Sequence, residues 1–209
     1  MVITSISEWR KGKSLISLND EPGFLLYAKE IRAYDLHEGE ELSPEKYQAI
    51  LNDILIKRAK SRTLHILDRR DKTEKELRDR LRDDMYPEEA VDAAVEAAKK
   101  GRFLDDGRYA AQYIYEKSRT KSRRMIETEL AGKGIAKELI DEAYAEFTEL
   151  TCDGDEPDRE EELILKLIKK RCPDPGSLDK TARDKLYRYL TGKGFEFPKV
   201  KRILEQYLE

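Results

Sequence analysis

The chain has few residues of the kinds that build metal, redox or membrane proteins. Its 209 residues include only two cysteines, Cys152 and Cys172, without a CxxC pair or a neighbouring histidine. That excludes a zinc site and a disulfide framework, and both thiols read as free. No apolar run approaches the roughly 18 residues of a membrane span, and the N-terminus has no signal-peptide pattern, so the expected place of action is the cytoplasm. No nucleophile with a paired base, no cluster of metal ligands and no phosphate-cradling glycine loop is visible, which argues against an enzyme and against any cofactor. The acidic stretch at residues 151–158 lacks the ligand register of a calcium loop. The adjacent Asp105 and Asp106 read as a helix cap for a helix starting at Gly107, because neighbours on a helix point apart.

Charge is abundant instead. Charged residues make up 41% of the chain and hydrophobic residues 39%. This is too polar for one large compact core and natural for long amphipathic helices. One apolar spacing of four, five, five and four residues recurs three times. It runs through Leu77, Leu81, Tyr86, Val91 and Val95, then Ile126, Leu130, Ile135, Ile140 and Tyr144, then Leu186, Leu190, Phe195, Val200 and Leu204. The first and last steps are helical turns on one apolar face, and the middle steps cross a tight turn. That turn contains Gly132 and Gly134 in the second copy and Gly192 and Gly194 in the third, as suits a helix end entering a left-handed conformation. No single copy buries its stripe alone, so the expected fold is mainly α, with tandem three-helix repeats stacked into an elongated array.

Residues 1–43 differ. Short β-branched, aromatic and aliphatic runs at residues 2–7, 14–18 and 24–27 are separated by turn chemistry around Gly12 and across residues 19–23, which predicts a small antiparallel sheet. Trp9 and Tyr27 suit either packing on that sheet or stacking on a base. Ser43, Pro44 and Glu45 start a helix. Whether it breaks near Asn52 and Asp53 or runs on to Leu67 stays open. Thr73 and Glu76 form a capping box, Tyr86-Pro87-Glu88-Glu89 opens the next helix with proline first, and Gly101 closes it. The expected division is 1–43, a β-rich extension; 44–104, a connecting helix and first repeat; 105–150, the second repeat; and 151–209, an acidic linker and third repeat, with extra loop length around Pro173 to Gly176.

The net charge of -3 hides segregation. Residues 57–82 hold 11 Lys and Arg against 5 Asp and Glu, and residues 180–202 hold 8 against 2, each a net of +6. Residues 138–162 hold 12 acidic residues and one basic, a net of -11. Such runs are either solvated helix faces or surfaces for phosphate backbones and acidic proteins. At about 100° per residue, Ile56, Thr63 and Leu67 share one helix face, and Arg58, Arg62 and Arg69 group on the opposite one as an outward basic stripe. The densest basic run, residues 117–124, suits an interhelical loop or a grip on single-stranded nucleic acid, with Tyr113 or Tyr115 stacking.

Taken together, Arg58-Ala59 through Leu64, Leu67 and Arg70 into Glu76-Leu77-Arg78 and Leu81, residues 101–106 with Tyr109-Ala110, and Glu129-Leu130 with Lys133-Gly134-Ile135 resemble the RecX family of recombinase regulators. The resemblance implies a non-enzymatic monomer that binds the RecA filament on single-stranded DNA and lowers its ATP hydrolysis, strand exchange and coprotease activity. Single-stranded DNA is a possible second partner, and no membrane is involved. The contact residues it suggests are Arg58, Arg62, Arg69, Arg70, Arg78, Lys117, Arg119, Lys121, Arg123, Arg124 and Lys133. A different reading of the same basic faces is a stand-alone DNA-binding protein of helix-turn-helix-like units. Two departures stand out. Met85 occupies the position of Gly134 and Gly194, and Ser122, in place of an expected glycine, is left to cap the second repeat's middle helix.

Overall fold

A computed structural model describes residues 1–10, 12–151, 158–173 and 179–208. Most of the acidic stretch at residues 151–158, Cys152 included, falls outside these residues, as does most of the loop after Pro173. The chain forms two compact units, residues 1–105 and 106–209.

In the first unit, β1 (Ile3–Arg10), β2 (Lys13–Leu18) and β3 (Glu21–Tyr27) form an antiparallel sheet in the order β1-β2-β3. Only Asn19 and Asp20 form the second turn, both at positive φ, as a two-residue hairpin requires. Glu21, Pro22 and Gly23, expected in the loop, belong to β3. Proline is tolerated there because β3 is an edge strand and the register shifts beside it, between Ile16 and Ser17. A Cβ on Gly23 would lie 2.7 Å from the Ile16 carbonyl, so the close approach needs glycine.

A short helix not anticipated from the sequence, α1 (Ala28–Ala33), follows directly, with the Tyr27 amide donating to Glu30 Oε2 at 2.8 Å. The helix begun by Ser43 then runs unbroken as α2 (Pro44–Ile50), a π turn (Leu51–Leu55) and α3 (Ile56–Leu67). At the suspected break the Ile56 amide reaches back five residues to Leu51, so the helix widens instead of ending. Its buried line is Leu51, Leu55, Ala59 and Thr63; of the expected Ile56, Thr63 and Leu67, Thr63 is fully buried and the other two pack partly buried against the core. Helices α4 (Glu74–Asp83) and α5 (Glu88–Lys100) complete the unit, with Thr73 capping α4. Pro87 is the cap residue of α5 and not its first helical residue. Sheet and helices share one core in which Ile3, Ile16, Phe24 and Leu26 join Leu55, Leu77, Leu81, Val91 and Val95.

The second unit contains α6 (Asp106–Lys117), α7 (Arg123–Gly132) and α8 (Lys137–Thr151), then α9 (Arg159–Arg171), α10 (Lys180–Gly192) and α11 (Phe197–Leu208). Helix α6 begins one residue earlier than expected, at Asp106. Each trio has its own core, around Ile114, Ile126 and Leu130 in one and Ile164, Leu190 and Val200 in the other.

The three middle helices end alike. The amides of Tyr86, Ile135 and Phe195 reach back to the carbonyls of Leu81, Leu130 and Leu190 at 3.2, 3.2 and 3.3 Å. One residue earlier, Met85, Gly134 and Gly194 have φ of 61°, 85° and 86°. This is a Schellman stop made three times, once without glycine. A fourth closes α5, where Arg102, and not Gly101, takes the left-handed conformation. A Cβ on Gly101 would stand 2.7 Å from the exposed Phe103 ring, which would have to shift to admit it.

Left-handed backbone costs a non-glycine residue about 1–2 kcal/mol. Glycine loses more entropy on folding, about 0.5–1 kcal/mol. Met85→Gly should therefore raise stability by about 0.5–1 kcal/mol. Gly194→Ala in the equivalent turn should lower it by at least about 1 kcal/mol, since its Cβ would also lie 2.7 Å from Ser122 Oγ. Denaturant midpoints that move together for the two variants would contradict the shared turn. Leu130→Ala, at a fully buried position, should cost about 2–5 kcal/mol in the same assay.

Candidate functional site

The basic residues singled out from the sequence lie in both units, and each unit treats them differently. In the first unit, Arg58 and Arg62 are not a free outward stripe. The π turn sets the buried line one residue on from each of them, which places both at the edge of the core. Arg58 donates to the Leu25 carbonyl at 3.0 Å and to Glu30 Oε1 at 2.6 Å, and its guanidinium stands 5.0 Å from the Tyr27 ring centre. Arg62 pairs with Asp84 at 2.7 Å. Arg78 is held by Glu74 and Asp92. Arg69 and Arg70, beyond the end of α3, are exposed and make no ion pair among the described residues.

In the second unit the cations are arranged over aromatic rings. Tyr109 and Tyr113, one turn apart on α6, lie with ring centres 6.1 Å apart and planes 14° from parallel. Lys133, in the left-handed turn after α7, sits 5.5 Å from the Tyr109 ring centre, and Lys117 sits 5.6 Å from that of Tyr113. The Tyr113 hydroxyl donates to Glu129 at 2.7 Å, and Glu129 also takes Lys121. Burial first, then the bond to Glu129, pushes the Tyr113 hydroxyl up to about 12. The Lys121 ammonium, with the Tyr113 hydroxyl, holds the Glu129 carboxyl below the usual range. Arg119 stands over Tyr115, which is 52% exposed. Arg123 lies 4.4 Å from the Tyr144 ring centre and pairs with Glu127, while Arg124 is exposed with no ion pair among the described residues. Cations fixed over ring faces keep their charge while shedding rotamer freedom.

Ser122 does cap α7, accepting from the Met125 amide at 3.4 Å, and it also donates to the Lys193 carbonyl at 2.7 Å. Glu160 accepts from the Arg123 amide and pairs with Lys199, and Glu161 pairs with Arg202. Glu160, from the acidic run, thus joins the two trios of this unit through the Arg123 amide, while the pairs with Lys199 and Arg202 stay within the last trio. Arg159 was not singled out from the sequence, yet its guanidinium lies 5.2 Å from both the Tyr115 and the Phe147 ring centres. The spacing of Tyr109, Tyr113 and Lys117 at successive turns was the available signal for the ring and cation pairs.

Two predictions follow from these partners. Arg58→Ala should destabilise by about 1.5–3 kcal/mol, because it strips a charged hydrogen bond from a side chain only 20% exposed; a change under about 0.5 kcal/mol would return Arg58 to plain surface. The Glu129 contribution is fully present above the ordinary glutamate value near about 4.3 and is lost as pH falls through its lower folded value. Glu129→Gln should therefore flatten the loss of stability below about pH 5. It should also strengthen binding of an anionic partner by releasing Lys121. An unchanged acid slope would show the pair to be inconsequential.

Comparison with known proteins bears on the three-helix repeats. The first, second and third RecX three-helix domains match residues 59–96, 105–143 and 158–204. Regulatory protein RecX of Clostridium beijerinckii is 31% identical over 98% of this chain and 94% of its own. That of Caldanaerobacter subterraneus subsp. tengcongensis is 29% identical, covering 98% of each. A crystal structure of regulatory protein RecX superposes with a TM-score of 0.65 at 27% identity over 98% of both chains. That of RecX from Lactobacillus salivarius, at 22% identity, has a TM-score of 0.63 over 73% of this chain and 96% of its own and shares the fold. With three matched domains spanning more than half its length and a relative 31% identical end to end, the chain belongs to the RecX family of regulatory proteins.

Proposed function

We propose that the chain is a non-enzymatic regulator that binds the RecA filament on single-stranded DNA and restrains it, lowering ATP hydrolysis, strand exchange and coprotease activity. It acts as a cytoplasmic monomer. The observation that carries this reading is the row of cations over tyrosines in the second unit, with Lys117, Arg119 and Arg124 making no ion pair among the described residues. Such a surface suits both an acidic protein groove and the phosphates of a strand within it. Arg69 and Arg70 contribute from the first unit. Arg58, Arg62 and Arg78 serve the fold first, because their charges already have partners. Lys121, Arg123 and Lys133 hold the surface in shape. The parallel tyrosines beneath Lys117 and Lys133 also suit a stand-alone binder of DNA strands, in which bases stack without RecA.

The test is RecA-dependent ATP hydrolysis on single-stranded DNA. Lys117→Glu, Arg119→Glu and Arg124→Glu combined should keep the thermal midpoint within a few degrees, because exposed charges contribute only about 0–1 kcal/mol each, and should abolish inhibition. Glu138→Gln, Glu142→Gln and Glu146→Gln on the exposed face of α8 should leave inhibition intact. A folded cation variant that inhibits like the parent would contradict the assignment.

A further inference from the structure

The outer end of the N-terminal sheet has a second set of aromatic and basic groups that the repeats do not use. Arg10, Lys13 and Tyr27 are cross-strand partners in one row across β1, β2 and β3, so their side chains share one face of the sheet. Leu15 and Leu25 pair two residues along and give that face an apolar floor. The Lys13 ammonium stands 5.3 Å and the Arg58 guanidinium 5.0 Å from the Tyr27 ring centre.

Trp9 is the extra residue of a β-bulge, where the register shifts between Glu8 and Arg10. A bulge on an edge strand re-aims its side chain. Here the result is an indole 44% exposed, with no ring or cation contact among the described residues. It is the chain's one tryptophan. Neither β-propensity nor core packing requires so large an apolar ring at a solvated hairpin end.

We propose that this end of the sheet is a contact site for single-stranded nucleic acid, with a base stacked on Trp9 and the adjoining phosphates on Arg10 and Lys13. The charge complementarity is direct. Arg10 and Lys13 make no ion pair among the described residues, and Glu30, which accepts from the Tyr27 amide, is occupied by Arg58. An exposed indole beside two unpaired cations matches the stacking platform and electrostatic track by which strands are bound without sequence preference. A single exposed ring offers little apolar area for anchoring in a membrane, whose binding grows with the apolar area buried, whereas one ring and two cations suffice for a base and its phosphates. The contact stands apart from the RecA reading, since it uses none of the residues assigned there and needs no filament.

The test uses the full chain and an oligothymidylate. Tryptophan emission, excited selectively over the 11 tyrosines, reports Trp9 alone. Saturable quenching is expected, with half-saturation shifting to higher oligonucleotide as salt rises. By anisotropy of a labelled strand, Trp9→Ala should bind about tenfold more weakly, and so should Arg10→Glu with Lys13→Glu. Trp9→Phe should bind close to the parent, which separates stacking from folding. The proposal is overturned if the strand binds with emission unchanged, if it does not bind, or if Trp9→Ala binds like the parent. It is also overturned if emission changes only when RecA protein is added, which would make the occupant a protein. A Trp9→Ala variant that loses this binding but still inhibits RecA hydrolysis would support both proposals; a folded Lys117, Arg119 and Arg124 variant that still inhibits would overturn the filament reading alone.

Discussion

Each three-helix unit depends on one hydrogen bond: an amide three residues beyond the middle helix reaches back to the carbonyl of a fully buried leucine, Leu81, Leu130 or Leu190. That bond forms only if the residue between adopts a left-handed backbone. The stop fixes where the third helix starts and therefore which of its residues meet the core. It also presents short backbone segments that other parts can use. In the second unit the Lys193 carbonyl, inside such a turn, receives the Ser122 hydroxyl, and Gly194 leaves just enough room for it. One local geometry thus serves both closure of a unit and attachment to the next.

The second organising feature is competition for positive charge. A chain with 41% charged residues cannot leave every cation for a partner, and the structure divides them. Arg58, Arg62 and Arg78 are drawn into ion pairs at the edge of the first core. Lys117 and Arg119 rest over tyrosine rings, which orient them without neutralising them, and Lys133 stands over Tyr109. Lys121 lies between these cases, because Glu129 claims it while also fixing Tyr113. Charge density along the sequence is therefore a poor guide to available charge.

This explains what could be read in advance. The repeat, its cores and the family were legible, because apolar spacing and turn glycines are local signals. Met85, standing where the other two copies have glycine, left the geometry of the first turn open, since methionine gives no hint of the left-handed backbone it adopts. The role of Arg58 was not legible: it depends on a π turn that rephases the helix and on Glu30 in a six-residue helix with no apolar stripe. Nor was the use of Glu160 and Glu161, whose partners Lys199 and Arg202 are about forty residues away. Trp9 admitted two readings, packing or stacking, and its exposure in a bulge favours the second.

The central claim is that the cations over aromatic rings engage a protein-coated strand. The most direct measurement is binding of the full chain to single-stranded DNA with and without RecA and nucleotide, over a range of salt. Much tighter binding to the coated strand, with a shallower salt slope than on naked DNA, is the expected result. Equal or tighter binding to naked DNA, with the steep slope of counterion release, would contradict it and favour a stand-alone DNA-binding protein.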